Sequence, residues 1–199
     1  MRGHGPKAED AAKLTALVGR LAPGSRVIPL LETACGLVRA EQVCAVPGVV
    51  RVAFGHLDLA AELGIDPTDD RALLHARASV VLASAAAGLA GPVDGVTTRL
   101  HDEKTLRGDA QAAARLGFTG KLCIHPAQIG PTHEAFSPSS ADIDAARHVA
   151  GAGGDRPAST LDGEMIDAPV VTRARRLLER AASYGLLPSG DSDAPQQEG

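Results

Sequence analysis

The feature that most constrains this chain is the regular exchange of two hydrophobic periodicities. From residue 8 onward, segments with helical spacing alternate four times with short β-branched runs. In AEDAAKLTALVGRL, residues 8–21, Leu14, Leu17, Val18 and Leu21 recur at i, i+3, i+4 and i+7, which predicts an amphipathic helix stopped by Pro23-Gly24-Ser25. RVIPLLE, residues 26–32, reads as a first buried strand. CGLVRAEQVCAV, residues 35–46, reads as a helix closed by Pro47-Gly48, and VVRVAF, 49–54, as a second strand. A short helix at 57–64 and a long one at 70–89 follow, with caps offered by the turn from Asp66 to Asp70. VDGVTT is the third strand, 102–116 a helix, and KLCIH the fourth strand, stopped by Pro126. Helices are expected around 127–135 and 140–150. Alternation at this spacing means βα units around a parallel sheet, an α/β fold with four strands.

Residues 151–163 are rich in Gly, Asp and Pro and read as a loop or linker. The helical pattern then resumes, with Val170, Ala174, Leu177, Leu178 and Ala181 on one face. The polar tail 188–199 is expected to be disordered. The expected organisation is therefore an α/β part over 1–150, a linker and helical extension over 151–187, and the tail. Gly-Ala-Gly-Gly at 151–154 follows a helix and lacks the spacing of a dinucleotide-binding turn.

Composition narrows the function. With three Phe, one Tyr and no Trp, the chain has no aromatic platform for single-stranded nucleic acid. A net charge of −4 supplies no basic field for nucleic acid or an anionic membrane. No apolar run reaches the length of a membrane span, and the N-terminus lacks a signal peptide's apolar core. Cys35, Cys44 and Cys123 form no CxxC pair, so a reducing cytoplasm is the expected compartment.

Two acids stand out by position. Glu32 ends the first strand and Asp58 lies just beyond the second, one βα unit apart. Ligands in parallel α/β folds gather at the carboxyl edge of the strands, so both acids point to one mouth. Two carboxylates with water and substrate oxygens in the other positions describe a Mg²⁺ site. The competing reading makes both acids local: Glu32 beside a helix start capped by Thr33, and Asp58 an acid favoured by a helix dipole.

Four segments then carry a resemblance. VIPLLETACGLVRAEQV, VRVAFGHLDLAAELG, GFTGKLCIHPAQIGPTHEAFSPS and LDGEMIDAPVVTRARRLLERA resemble, in order, motifs of the HpcH/HpaI aldolase and citrate lyase β-subunit family. PKAED, at residues 6–10, is similar to the family's "PK.E", and the match runs over roughly residues 6–183. The resemblance implies a (β/α)8-barrel enzyme, here an incomplete barrel of about four βα units with a C-terminal helical extension. It implies a Mg²⁺-dependent carbon–carbon lyase of the CitE-like branch, which splits a hydroxyacyl-CoA into an acyl-CoA and an oxo-acid. It places the metal pair on Glu32 and Asp58 and an acid/base role on Asp167, delivered to a neighbouring subunit. Asp167 also suits a helix N-cap ahead of Pro169.

The resemblance further suggests substrate contacts for Lys7 and His125, with Gln128 beside them; for His125 a purely backbone-bonding role stands as the alternative. Arg77 reads as a structural ion-pair or snorkelling residue, and the arginines at 173, 175, 176 and 180 as a solvated helix face or a CoA-phosphate contact. The implied partners are a CoA thioester, an oxo-acid and other copies of the chain, a trimer by resemblance. The family pattern opens with "RS.L.VPG" and "VR.N" segments that Met1–Gly5 cannot supply. The expectation is a C-terminal portion of an enzyme, a chain completed by a separate N-terminal half or by itself, or a non-catalytic pseudo-enzyme subunit.

Overall fold

The computed structural model describes residues 8–152, 159–161 and 164–187. Lys7, the linker at 153–158 and the tail 188–199 lie outside the described residues. The elements run in the order α1 (Ala8–Leu21), β1 (Leu30–Leu31), α2 (Ala34–Val38), α3 (Ala40–Cys44), β2 (Ala53–Phe54), α4 (His56–Leu63), α5 (Asp70–Ala86), β3 (Val93–Asp94), α6 (Glu103–Leu116) and β4 (Gly120–Lys121). A 3₁₀ turn (Pro126–Gln128), α7 (Ile129–Phe136), α8 (Ser140–Ala152), β5 (Ser159–Leu161), β6 (Glu164–Ile166) and α9 (Ala168–Ser183) complete it.

Strands β1 to β4 lie side by side in sequence order, all parallel, as the alternation of patterns predicts. The paired strands are shorter than the β-branched runs. Pro29 has no N–H to donate, so it contributes only its carbonyl, which accepts from Ala53 N. Pairing nevertheless reaches back to Val27, which bridges Val49. The register sets Leu31 beside Phe54 and Asp94 beside Lys121. These four residues point into the helical layer, where Leu31 and Phe54 are fully buried. Around them pack Val43, Val52, Leu59, Leu73, Val80, Ala110 and Phe118, an aliphatic core with few aromatic rings. Full burial of a Phe or Leu side chain contributes roughly 1.5–3 kcal/mol.

Several local features differ from the expectation. The helix expected over 35–46 is two short helices, broken at Arg39, whose φ of −111° and ψ of 18° fall outside the helical range. The long helix ends at Ala86, where Gly88 takes φ 66° and turns the chain. Part of the expected loop at 151–163 pairs with the residues before α9: β5 and β6 form an antiparallel ladder from Ser159↔Ile166 to Leu161↔Glu164. Asp162 and Gly163 lie outside the described residues.

The chain divides into two compact units between Phe136 and Ser137. The first holds the parallel sheet. In the second, α8 packs on α9 with Ile143, Ala146, Ala174 and Ala181 buried. Ser139 and Asp142 start α8 by reciprocal capping: Asp142 N donates to Ser139 Oγ, and Ser139 N donates to Asp142 Oδ2. All three cysteines are free thiols. No helix among the described residues is long and apolar enough to cross a membrane.

Candidate active site

The carboxyl edge of the sheet is built by stepping one residue past the register pairs. Leu31↔Phe54 puts Glu32 level with Gly55, and Ala53↔Val93 puts Gly55 level with Gly95. Glu32 therefore leaves β1 beside the β2 exit. Thr33 turns the chain into α2, its hydroxyl accepting from Gly36 N at 3.1 Å. Across the gap, Glu62 in the last turn of α4 accepts from Ala34 N at 2.8 Å and ties the start of α2 to the end of α4. Asp58 stands in the first turn of α4, exposed, while Glu32 is half-buried.

The two carboxyls are close enough to interact. Burial, then the negative charge of Asp58 and a hydrogen bond to it, hold the Glu32 carboxyl above the ordinary glutamate range. Among the described residues neither acid forms an ion pair with a Lys, Arg or His. Two mutually repelling carboxylates without a protein cation form a donor set suited to a hard divalent ion. No group of three or more His, Cys, Asp or Glu capable of holding a metal occurs among the described residues. Mg²⁺ is a cation that binds through one or two carboxylates and retains waters.

Gly55 leaves the space that the Glu32 side chain occupies. A Cβ built there would fall 2.5 Å from Glu32 Cβ and 3.1 Å from its Oε2. Gly55→Ala must therefore displace Glu32, with an expected loss of about 1–3 kcal/mol in urea unfolding.

Behind the edge lies a cluster that the sequence reading did not assemble. Asp94, fully buried, receives Arg77 Nε at 3.2 Å and Lys121 Nζ at 3.5 Å. Lys121 Nζ also donates to Gly95 O at 2.7 Å. Arg77 reaches on to Asp70, the first residue of its own helix, so its expected ion-pair role is what the fold displays. Burial opposes the Arg77 charge, yet Asp94 and Asp70 outweigh it and leave the pKa raised. Gln128 is buried and staples two exits: it donates to Thr97 O at 2.9 Å and accepts from Ile124 N at 3.0 Å. The signal in the sequence was a charge inside each of two apolar strand patterns, VDG and GKL.

The other expected site residues are placed separately. His125 is exposed, and its Nδ1 accepts from Ala127 N at 3.1 Å, capping the 3₁₀ turn; it receives a backbone proton rather than donating one. Asp167 belongs to the second unit, where its Oδ1 accepts from Val170 N at 3.2 Å as the N-cap of α9.

Comparison with known proteins adds a decisive observation. The model of the HpcH/HpaI aldolase/citrate lyase family matches residues 8–126. The chain belongs to this family. A citrate lyase subunit beta-like protein of Deinococcus radiodurans is 37% identical over 188 residues, covering 89% of this chain and 65% of the relative. A (3S)-malyl-CoA thioesterase of Cereibacter sphaeroides is 33% identical over 88% of this chain and 63% of its own length. The crystal structure of CitE from Mycobacterium tuberculosis in complex with magnesium, acetoacetate and coenzyme A matches with a TM-score of 0.72 and 35% identity, over 84% of this chain and 65% of that one. This HpcH/HpaI member thus spans about 65% of the length of these relatives, and its four parallel βα units are of the family's α/β class.

Proposed function

We propose that this HpcH/HpaI family member takes part in Mg²⁺-dependent cleavage of a carbon–carbon bond in a hydroxyacyl-CoA, of malyl-, citramalyl- or citryl-CoA type, giving an acyl-CoA and an oxo-acid. The observation that carries this reading is the Glu32–Asp58 pair: two adjacent carboxylates at neighbouring strand ends, with no cationic partner among the described residues. When bound, Mg²⁺ would supply Lewis-acid stabilisation of the charge that develops on the oxo-acid oxygen. The residues of this chain do the holding. Glu32 and Asp58 would ligate it, Gly55 leaves the space that the Glu32 side chain occupies, and Thr33 and Glu62 fix the start of α2 just after Glu32.

Asp167 is the candidate acid/base. Its Oδ1 is engaged as a helix cap, which fixes the side chain, and its other oxygen makes no hydrogen bond among the described residues. A rigidly held carboxylate of this kind suits proton transfer in a neighbouring subunit of a homo-oligomer. His125 and Lys7 are assigned to substrate contacts at the mouth. A cytoplasmic location accords with three free thiols.

The relatives named as thioesterases favour a second reading, hydrolysis of the thioester. One assay separates the two. Malyl-CoA is incubated with the full chain and Mg²⁺, and glyoxylate and free CoA thiol are measured in parallel. Lyase action yields glyoxylate with acetyl-CoA, and thioesterase action yields free CoA with malate. The expected result is glyoxylate, abolished by EDTA. A folded chain that releases neither product from malyl-CoA or citramalyl-CoA would be a non-catalytic subunit.

A further inference from the structure

The geometry points to Gly95, His56 and the buried Asp94–Lys121 pair as positioning residues that set Asp58 in place. This inference rests on the cation site proposed above and concerns how that site is held.

His56 is the first residue of α4, and Asp58 is two residues further along the same turn. The helix starts at Gly55, which provides no side-chain cap. His56 is more than nine-tenths buried, and its Nδ1 finds no hydrogen-bond partner among the described residues. Packing therefore holds the ring at that nitrogen. The surface it packs against is Gly95: a Cβ built there would lie 2.1 Å from His56 Nδ1, 2.9 Å from Cε1 and 3.1 Å from Phe54 O. No side chain fits between them.

Gly95 is itself pinned. Its carbonyl accepts from Lys121 Nζ at 2.7 Å, and that ammonium is 1% exposed. Lys121 is balanced by Asp94, its register partner on β3, and Asp94 by Arg77 of α5. A buried ion pair adds little net stability compared with apolar residues of the same size, but its geometry is directional. Here the direction runs from β4 to the end of β3, from there to the His56 ring, and through the first turn of α4 to Asp58. Gly55 and Gly95 act at the same level of the sheet. The first admits Glu32 and the second admits His56, so both ligands of the proposed site are set by a glycine at a strand end.

The test is calorimetric titration of the full chain with Mg²⁺ alone, with circular dichroism to establish that each variant is folded. Gly95→Ala is expected to weaken Mg²⁺ binding about 10- to 100-fold, the range for residues that orient metal ligands. His56→Ala frees the first turn and is expected to weaken it about 10-fold. Adding Gly95→Ala to His56→Ala should then change affinity by less than about twofold, because the ring that clashes is gone. A merely structural role would lower the melting temperature of both single variants without this coupling. If Gly95→Ala does not fold, His56→Ala decides alone. Unchanged Mg²⁺ affinity in the folded single variants, or equal losses from Gly95→Ala in both backgrounds, overturns the inference and leaves the cation site standing. No Mg²⁺ binding by the unaltered chain overturns the site and the inference together.

Discussion

Asp94→Ala is expected to destabilise the first unit by about 3–5 kcal/mol, the cost of removing one partner from a buried ion pair. Asp94 is fully buried, Lys121 is 1% exposed and the Arg77 side chain is 10% exposed. Deleting the carboxylate leaves Lys121 without an ion-pair partner among the described residues and Arg77 with Asp70, which is 71% exposed. Against a typical stability of about 5–15 kcal/mol, such a loss removes a large part of the folded population. Asp94→Asn keeps the shape and one acceptor but not the charge, so it should move stability in the same direction by less. Asp94→Leu combined with Lys121→Met removes both charges and should recover part of the loss. Urea unfolding followed by circular dichroism checks all three. A cost below about 1 kcal/mol for Asp94→Ala would show that the cluster is not a coupled unit.

The second large effect concerns the carboxyl pair. Glu32→Ala and Asp58→Ala are each expected to lower Mg²⁺ affinity by at least about 100-fold, since each removes one of the two proposed protein ligands. Unchanged binding in both would exclude this site. The pair also predicts a pH effect with a definite sign. Burial and the neighbouring Asp58 raise the Glu32 pKa in the folded chain, so between the ordinary and the raised values the folded state holds more proton than the unfolded state. Without metal, the stability contribution of this group falls as pH rises through that window, and the full penalty is present above it. Glu32→Gln should therefore slightly raise the melting temperature of the metal-free chain at neutral pH while abolishing Mg²⁺ binding. In the unaltered chain, Mg²⁺ at about 100 times its Kd should add about 2.7 kcal/mol at neutral pH. That gain should fade as pH falls through the carboxylate range, where protons compete for the same oxygens. Thermal unfolding at several pH values, with and without EDTA, reads both effects.

How much of this was legible beforehand differs from residue to residue. Glu32 and Asp58 were visible because a general rule locates sites at the carboxyl ends of parallel strands, and the strands were readable from period and punctuation. The β5–β6 ladder is not predicted from the sequence because three-residue runs give too little alternation. The break at Arg39 was hidden because both short helices share one apolar pattern. The Asp94–Arg77–Lys121 cluster was not readable at all. Its members are 17 and 27 residues apart, and only strand register and the packing of α5 bring them within reach. Asp167 was legible as a helix cap, because capping depends on residues three apart.

The sequence by itself determined the alternation of helices with four parallel strands, the α/β class, the family and the position of the two acids beside neighbouring strand ends, because each follows from short-range pattern or ordered motifs. Only the tertiary structure brought the two carboxyls close enough to interact. It also decided that Gly55 lies against Glu32 and Gly95 against His56, and that Lys121, paired with the buried Asp94, donates to Gly95 O. Those depend on register and close approach between segments, where a tenth of a nanometre decides and no local pattern records the partner.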